Sequence, residues 1–438
     1  MNHVDVEAND LIMPMNRICE RDRNYVCHPW SPISEDRSQL MLSYGENSRV
    51  KDIYGNEFID ASSLNTTCGY ADSRLVNTIK EQLAKLQGID ISTASNLLVG
   101  TLAERLSKYL PKCLSRTLFV NSGSEGIEAA IFIAASYWIQ IGEPRSRIVT
   151  FERGYHGATL LCRSLSGLPR VKHPLSIKLP VSQVRFEVAP RQLREPESLQ
   201  TLLHAFKKEM MQDKNDYPIA VLVEPFINVG GGIVLPKGFL SALQKLCKKT
   251  GTLLILDEIF TGFGRSGKMF AFEYESVIPD ILVSSKGLAS GYMPICAVTF
   301  KDEIYRTFAN DKSIGGVRYG HTTSGHAGAC AAALATLDII DKDELVQKAS
   351  YFGSVLMDAF SDRIGVGHVV DVRNFGLVLV IEMSSFEIAS RLIKHARSEG
   401  VLLRQQGEAL MVVPPLTIDE KTLNLLIKRL QSALARIQ

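Results

Sequence analysis

The chain has 438 residues, 45% of them hydrophobic and 22% charged, and its 49 Lys+Arg nearly balance 47 Asp+Glu to leave a formal net charge of +2. That length allows two or three domains around a large buried core, and the charge balance argues against an electrostatically driven nucleic-acid binder or an acidic disordered tail. The eight cysteines, at 19, 27, 68, 113, 162, 247, 296 and 330, form no Cys-x-x-Cys pair and no zinc-like cluster, and are expected to be reduced thiols of a cytoplasmic protein.

The first ten residues carry Asp5, Glu7 and Asp10 with no basic start and no apolar run, which is not a secretory signal pattern. The first ~45 residues are polar, contain Pro14, Pro29 and Pro32, and are expected to form an irregular arm laid over the body. From Arg49 to Asp60 two short alternating runs flank Gly55-Asn56, which predicts a β-hairpin. Apolar residues then return at helical spacing from 75 to about 86. Beyond Pro111 helices alternate with short apolar strands. The runs 219–223 (IAVLV), 253–256 (LLIL) and 280–283 (DILV) are apolar on both faces and separated by helical stretches such as 239–249, as in a parallel sheet covered on both sides. Ligands of such sheets sit beyond the carboxyl ends of the strands, and those ends hold Glu224, Asp257 and, three residues after the third run, Lys286. An Ala-rich helix after about 330, a strand-containing stretch from 369 to 382 and a last helix from 418 complete the pattern. No apolar stretch reaches the ~18 residues that would span a bilayer.

Two glycine motifs are decoys. Gly262-x-Gly264-x-x-Gly267 matches the dinucleotide fingerprint, but five residues separate it from the strand and the stretch 270–274 reads as aromatic and strand-like. Gly262-x4-Gly267-Lys268 matches most of a P-loop, but Met269 stands where magnesium needs Ser or Thr. The informative residue is Asp257, since an acid ending a buried strand costs several kcal/mol unless it is paired. It either caps the next turn or keeps a heteroaromatic nitrogen protonated. Lys286 sits among small residues in Ser284-Ser285-Lys286-Gly287-Leu288-Ala289. Partial desolvation there eases loss of its proton, as a Schiff-base lysine requires. Asn121-Ser122-Gly123-Ser124-Glu125-Gly126 follows an apolar run and opens a helix with apolar Ile127, Ile131, Ala134 and Trp138. Small residues at a helix N-terminus make ordinary caps or a phosphate site. Phosphate cradle, ring-nitrogen carboxylate and lysine together are the three groups that pyridoxal 5'-phosphate asks of a protein.

The chain resembles the class III (ω-amino acid:pyruvate type) aminotransferases, pyridoxal-phosphate enzymes of fold type I, from about His28-Pro29-Trp30 to the C-terminus. Seven stretches follow in the family's order: 121–128 (NSGSEGIE), 154–157 (GYHG), Glu224-Pro225 with 230–238 (GGGIVLPKG), 257–267 (DEIFTGFGRSG), 285–297 (SKGLASGYMPICA), 320–330 (GHTTSGHAGAC), and Arg404 with Pro414-Pro415-Leu416. The resemblance implies an α/β fold whose large domain holds a mostly parallel sheet between helices, beside a smaller α+β domain. The expected division is 1–70 (arm and hairpin, part of the small domain), 71–328 (large cofactor-binding domain) and 329–438 (C-terminal small domain). It implies that Lys286 forms the Schiff base and shuttles the proton between Cα and C4′, and that Asp257 pairs with the pyridine nitrogen. Tyr155 and Ile259 would cover the two ring faces, Gly123 and Ser124 would bind the phosphate, and Glu224 would also stand at the cofactor. Thr322 would reach that phosphate from a neighbouring subunit, making the active unit a homodimer. Arg404 would take the substrate carboxylate, and Trp30 would shape the substrate pocket.

The expected reaction is ping-pong transfer of an amino group between an amine or ω-amino acid donor and a keto acid or aldehyde acceptor, with no nucleic-acid or membrane partner. The alternatives are an aminomutase, racemase or phospho-lyase on the same scaffold, a diaminopelargonate synthase-like transaminase, or a non-catalytic member. Three departures bear on substrate. Val229 stands where members acting on ornithine or 4-aminobutyrate carry a glutamate, and Phe260 where they carry a glutamine. Ala158 and the stretch Ser62-Ser63-Leu64 lack the Asp and the aromatic of diaminopelargonate synthases.

Overall fold

The computed structural model describes residues 15–31, 33, 40–174, 177, 179–212 and 217–437. Pro14 and Pro32 of the expected arm lie outside them. The rest of the arm is not wholly irregular, because Met15–Tyr25 forms a helix. That run has no Pro or Gly to interrupt it and carries helix-compatible Arg17, Glu20, Arg21 and Arg23.

The expected hairpin is Arg49–Asp52 paired antiparallel with Glu57–Asp60. Val401–Leu402 adds to it in parallel, so a late segment of the chain completes a sheet begun by an early one. The central sheet has seven strands in the spatial order Leu114–Val120, Cys296–Lys301, Ile281–Ser284, Leu253–Asp257, Ala220–Val223, Ile148–Phe151, Val181–Val184. Only Cys296–Lys301 runs antiparallel to its neighbours. The side chains sort by alternation, as the period of two demands. Leu222, Ile255 and Val283 pack with Ile127, Ile131 and Trp138 of the helix Gly123–Gln140 on one face. Val223, Leu254, Leu256 and Leu282 pack with Phe206 and Phe239 on the other. Burial on both faces is why these runs carry no polar alternation.

The stretch 270–274 does not form a strand. Ala271–Glu275 is a 3-10 turn, because the buried Glu258 carboxylate accepts from the Ala271 N–H at 2.7 Å and the Phe272 N–H at 2.9 Å. Those donors are spent on a side chain and have none left for a strand ladder.

The C-terminal part places the helices Ala327–Lys342 and Leu345–Phe360 before a four-stranded antiparallel sheet of Val369–Asn374, Leu379–Met383, Ala409–Val412 and Arg404–Gln406. Buried Arg373 joins this sheet to the 230–232 loop, donating to the carbonyls of Gly232 at 2.6 Å and Gly231 at 2.7 Å. Among the described residues no helix is long and apolar enough to cross a membrane.

Candidate active site

Register carries the acidic groups to one edge. Leu256 pairs with Val223 and Asp257 with Val283, so Glu224, Asp257 and the chain leading to Lys286 leave the sheet side by side. They border a cavity of about 210 Å³ whose wall also includes Gly123, Ser124, Tyr155, Ile259 and Phe260.

Asp257 ends its strand buried and paired. One carboxylate oxygen lies 2.9 Å from His156 Nδ1, and the other accepts from the Ile259 N–H at 3.1 Å. It therefore caps the next turn and also faces an imidazole. His156 is buried in turn, with its N–H donating to Ser166 Oγ at 3.0 Å. His156 carries no role in the sequence reading although it stands within the quoted GYHG stretch. Glu224 accepts from the N–H groups of Tyr155 at 2.9 Å and Asn228 at 3.3 Å. Burial, with the Asp257 charge adding to it, pushes the Glu224 carboxyl up to about 7.

Lys286 opens the short turn Lys286–Ala289 at φ +29°, a conformation that costs a non-glycine residue of order 1–3 kcal/mol. Its ammonium lies 5.6 Å from the Phe260 ring centre. Burial lowers its pKa, Asp257 and Glu224 oppose that, and Arg404 acts in the same direction as burial. The lysine is thereby easier to deprotonate than one in water.

At the mouth of the helix Gly123–Gln140, Ser122 Oγ accepts from the Glu125 N–H at 3.2 Å and Glu125 accepts from the Asn121 N–H at 2.8 Å. The N–H groups of Gly123 and Ser124 have no acceptor within the helix, since they lie in its first turn. A Cβ on Gly123 would come within 2.9 Å of Ile259 Cδ1, so a side chain there would close the gap between cradle and cavity.

Tyr155 meets Trp30 edge to face with ring centres 6.4 Å apart, and the Arg163 guanidinium lies 5.3 Å from the Trp30 ring centre. Neither Trp30 nor Arg404 lines the cavity itself, although the Arg404 charge acts on both Tyr155 and Lys286. Thr322 is exposed and also outside the cavity wall. Asn228 was not singled out from sequence. Its side-chain nitrogen and oxygen are buried in the cavity wall without a partner.

The chain matches the family described as Aminotransferase class-III over residues 31–434. It is 30% identical to the adenosylmethionine-8-amino-7-oxononanoate aminotransferase of Anoxybacillus flavithermus, with 97% of each chain covered. It is also 30% identical to an omega-aminotransferase of Caulobacter vibrioides, covering 93% of this chain and 97% of the relative. The omega transaminase of Pseudomonas jessenii, solved in complex with PMP, superposes with a TM-score of 0.91 at 27% identity over 96% of this chain and 98% of that one.

Proposed function

The chain belongs to the class III aminotransferases, and from that premise we propose that Lys286 and Asp257 carry the chemistry, with Glu224, Tyr155, Ile259, Gly123 and Ser124 holding the cofactor and Arg404 and Trp30 on the substrate side. The protein is a pyridoxal-phosphate-dependent transferase of fold type I that moves an amino group between an amine or ω-amino acid and a keto acid or aldehyde. The residues at the sheet edge fit that cofactor. Unpaired first-turn N–H groups suit a phosphate, a buried carboxylate suits a protonated ring nitrogen, and the unpartnered Asn228 amide offers a further polar contact.

When bound, pyridoxal phosphate supplies an electron sink for negative charge developing at the substrate carbon that bears the nitrogen. Asp257, held by His156, keeps the ring nitrogen protonated so that this sink is effective. Lys286 Nζ would serve as the base that takes the proton from substrate Cα and as the acid that hands it back. Burial favours the neutral amine that this step needs. Tyr155 and Ile259 orient the ring, and the helix N-terminus at Gly123 and Ser124 anchors the phosphate. The single observation that carries the assignment is Lys286, largely buried at a strained backbone angle at the edge where Asp257 and Glu224 also emerge.

We further propose a homodimer in which the partner's Thr322 completes the phosphate site, and a division into 1–70, 71–328 and 329–438. The exposure of Thr322 in its own chain suits that use. A cytoplasmic setting suits the eight free cysteines, five of which are buried. The relative from Anoxybacillus flavithermus supports a second reading, transfer to 8-amino-7-oxononanoate. Ala158 and Leu64, which depart from that pattern, favour an ω-amine or ω-amino acid substrate instead.

Borohydride reduction of the purified holoenzyme followed by peptide mass spectrometry tests the lysine. The cofactor mass is expected on the peptide containing Lys286, and a label on any other lysine would contradict the assignment.

A further inference from the structure

The strand Arg404–Gln406 points alternate side chains to opposite sides. Gln405 turns toward the helix Phe386–Ser398, donating to the Phe386 carbonyl and accepting from Ser390 Oγ, each at 3.1 Å. Arg404 and Gln406 share the other side. There Gln406 Oε1 accepts from Arg170 Nη2 at 2.5 Å. The same nitrogen donates to the Val229 carbonyl at 3.0 Å, and Val229 lines the cavity that holds Lys286. The Arg170 charge, after burial, contributes to lowering the pKa of Arg404. Arg404 lies on the side of the strand on which Gln406 holds Arg170, so both guanidinium groups belong to the side that leads to Val229 and the cavity. The segment bearing Arg170 is fixed by Arg163, which donates to the Ala158 and Val171 carbonyls, each at 2.9 Å.

Neither guanidinium meets a carboxylate among the described residues. Among the described residues Arg170, which is exposed, spends Nη2 on two neutral oxygens and no other nitrogen is bonded, and the exposed Arg404 guanidinium has no hydrogen-bond partner. Position 229, whose carbonyl accepts from Arg170, is an uncharged valine. Adjacent like charges repel, and an open guanidinium fork matches a carboxylate. A ligand with one carboxylate satisfies one of the two groups, and a ligand with two satisfies both.

We propose that Arg170 is a specificity-determining residue of the amino-transfer site, taking the second carboxylate of a dicarboxylic amino donor or keto acceptor whose first carboxylate is held by Arg404. This rests on the assignment of Arg404 to the substrate side. Arg170 binds through its two open nitrogens, while Gln406 and Val229 fix the orientation of its guanidinium plane.

Calorimetric titration of the holoenzyme with glutarate and butyrate, which carry no reactive amino or keto group, separates binding from turnover. Glutarate is expected to bind about tenfold more tightly than butyrate, and R170Q is expected to reduce that ratio to about two or less. Equal binding of the two acids by the unaltered protein, or an undiminished ratio in R170Q, would overturn the proposal. R404Q distinguishes the underlying reading, because it should weaken both acids. If R404Q leaves both unaffected, the assignment of Arg404 itself fails. If R404Q weakens both while R170Q leaves the ratio intact, only the role of Arg170 fails.

Discussion

Asp257 and Lys286 are legible in the sequence because each interrupts or follows an apolar run, where burial makes a charge expensive. His156 is not legible in this way, since its partner Asp257 lies 101 residues along the chain and only the fold brings them together. D257N replaces the carboxylate proposed to face the ring nitrogen with a neutral amide, and kcat is expected to fall by about 10²–10⁴ in steady-state assays. H156F keeps the anion but removes its imidazole partner, and a smaller loss of roughly tenfold is expected in the same assay. A loss in H156F equal to that in D257N would mean that the histidine does more than position the carboxylate. Glu224 makes a further prediction about pH. Its native pKa of about 7 lies above the ordinary 4.5, so between those values the folded cofactor-free protein binds a proton that the unfolded chain has released. Its contribution to stability is therefore lost as pH rises through about 7. The melting temperature of the cofactor-free protein, compared between wild type and E224Q, should show the variant relatively more stable at pH 8 than at pH 5.

At the scale of elements, strands buried on both faces are readable from their continuous apolar runs, and the helix Gly123–Gln140 from its apolar periodicity. The stretch 270–274 misleads because Phe270, Phe272 and Tyr274 have the composition of a strand, while the carboxylate that diverts its N–H groups comes from Glu258 in the preceding loop. The helix at Met15–Tyr25 was missed because the flanking prolines masked a short uninterrupted run. How closely the helix Gly123–Gln140 approaches the sheet is also invisible in sequence. A Cβ at Gly126 would stand 2.4 Å from Cys296 Sγ and 3.0 Å from Val283 Cγ1. G126A is expected to lower unfolding free energy by about 1–3 kcal/mol in urea titration, through forced repacking against two strands. G100A is the matched control, for nothing lies within 4 Å of its added Cβ. There the loss of unfolded-state freedom should stabilise the protein by about 0.4–1 kcal/mol.

For the whole molecule, Val401–Leu402 joins the hairpin in one sheet although the two lie far apart in the chain, and the site is built at the edge of the separate central sheet. The proposed dimer makes a prediction that no single chain can satisfy. Co-expression of K286A with T322D should regenerate activity on the order of a quarter of wild type, since half of randomly paired dimers are mixed and each mixed dimer has one site free of both lesions. Persistent inactivity of the mixture, with each variant inactive alone, would place Thr322 in its own chain's site. The central claim is that Lys286, Asp257 and the cradle at Gly123 and Ser124 carry amino transfer, and the visible spectrum of the holoenzyme tests it most directly. Adding an amino donor such as alanine or an ω-amine should convert the yellow lysine-bound band to the near-ultraviolet band of pyridoxamine phosphate, and a keto acid should restore it. D257N should slow that conversion, and K286A should lack the lysine-bound band. Conversion at an unchanged rate in D257N, or a normal lysine-bound band in K286A, would contradict the account.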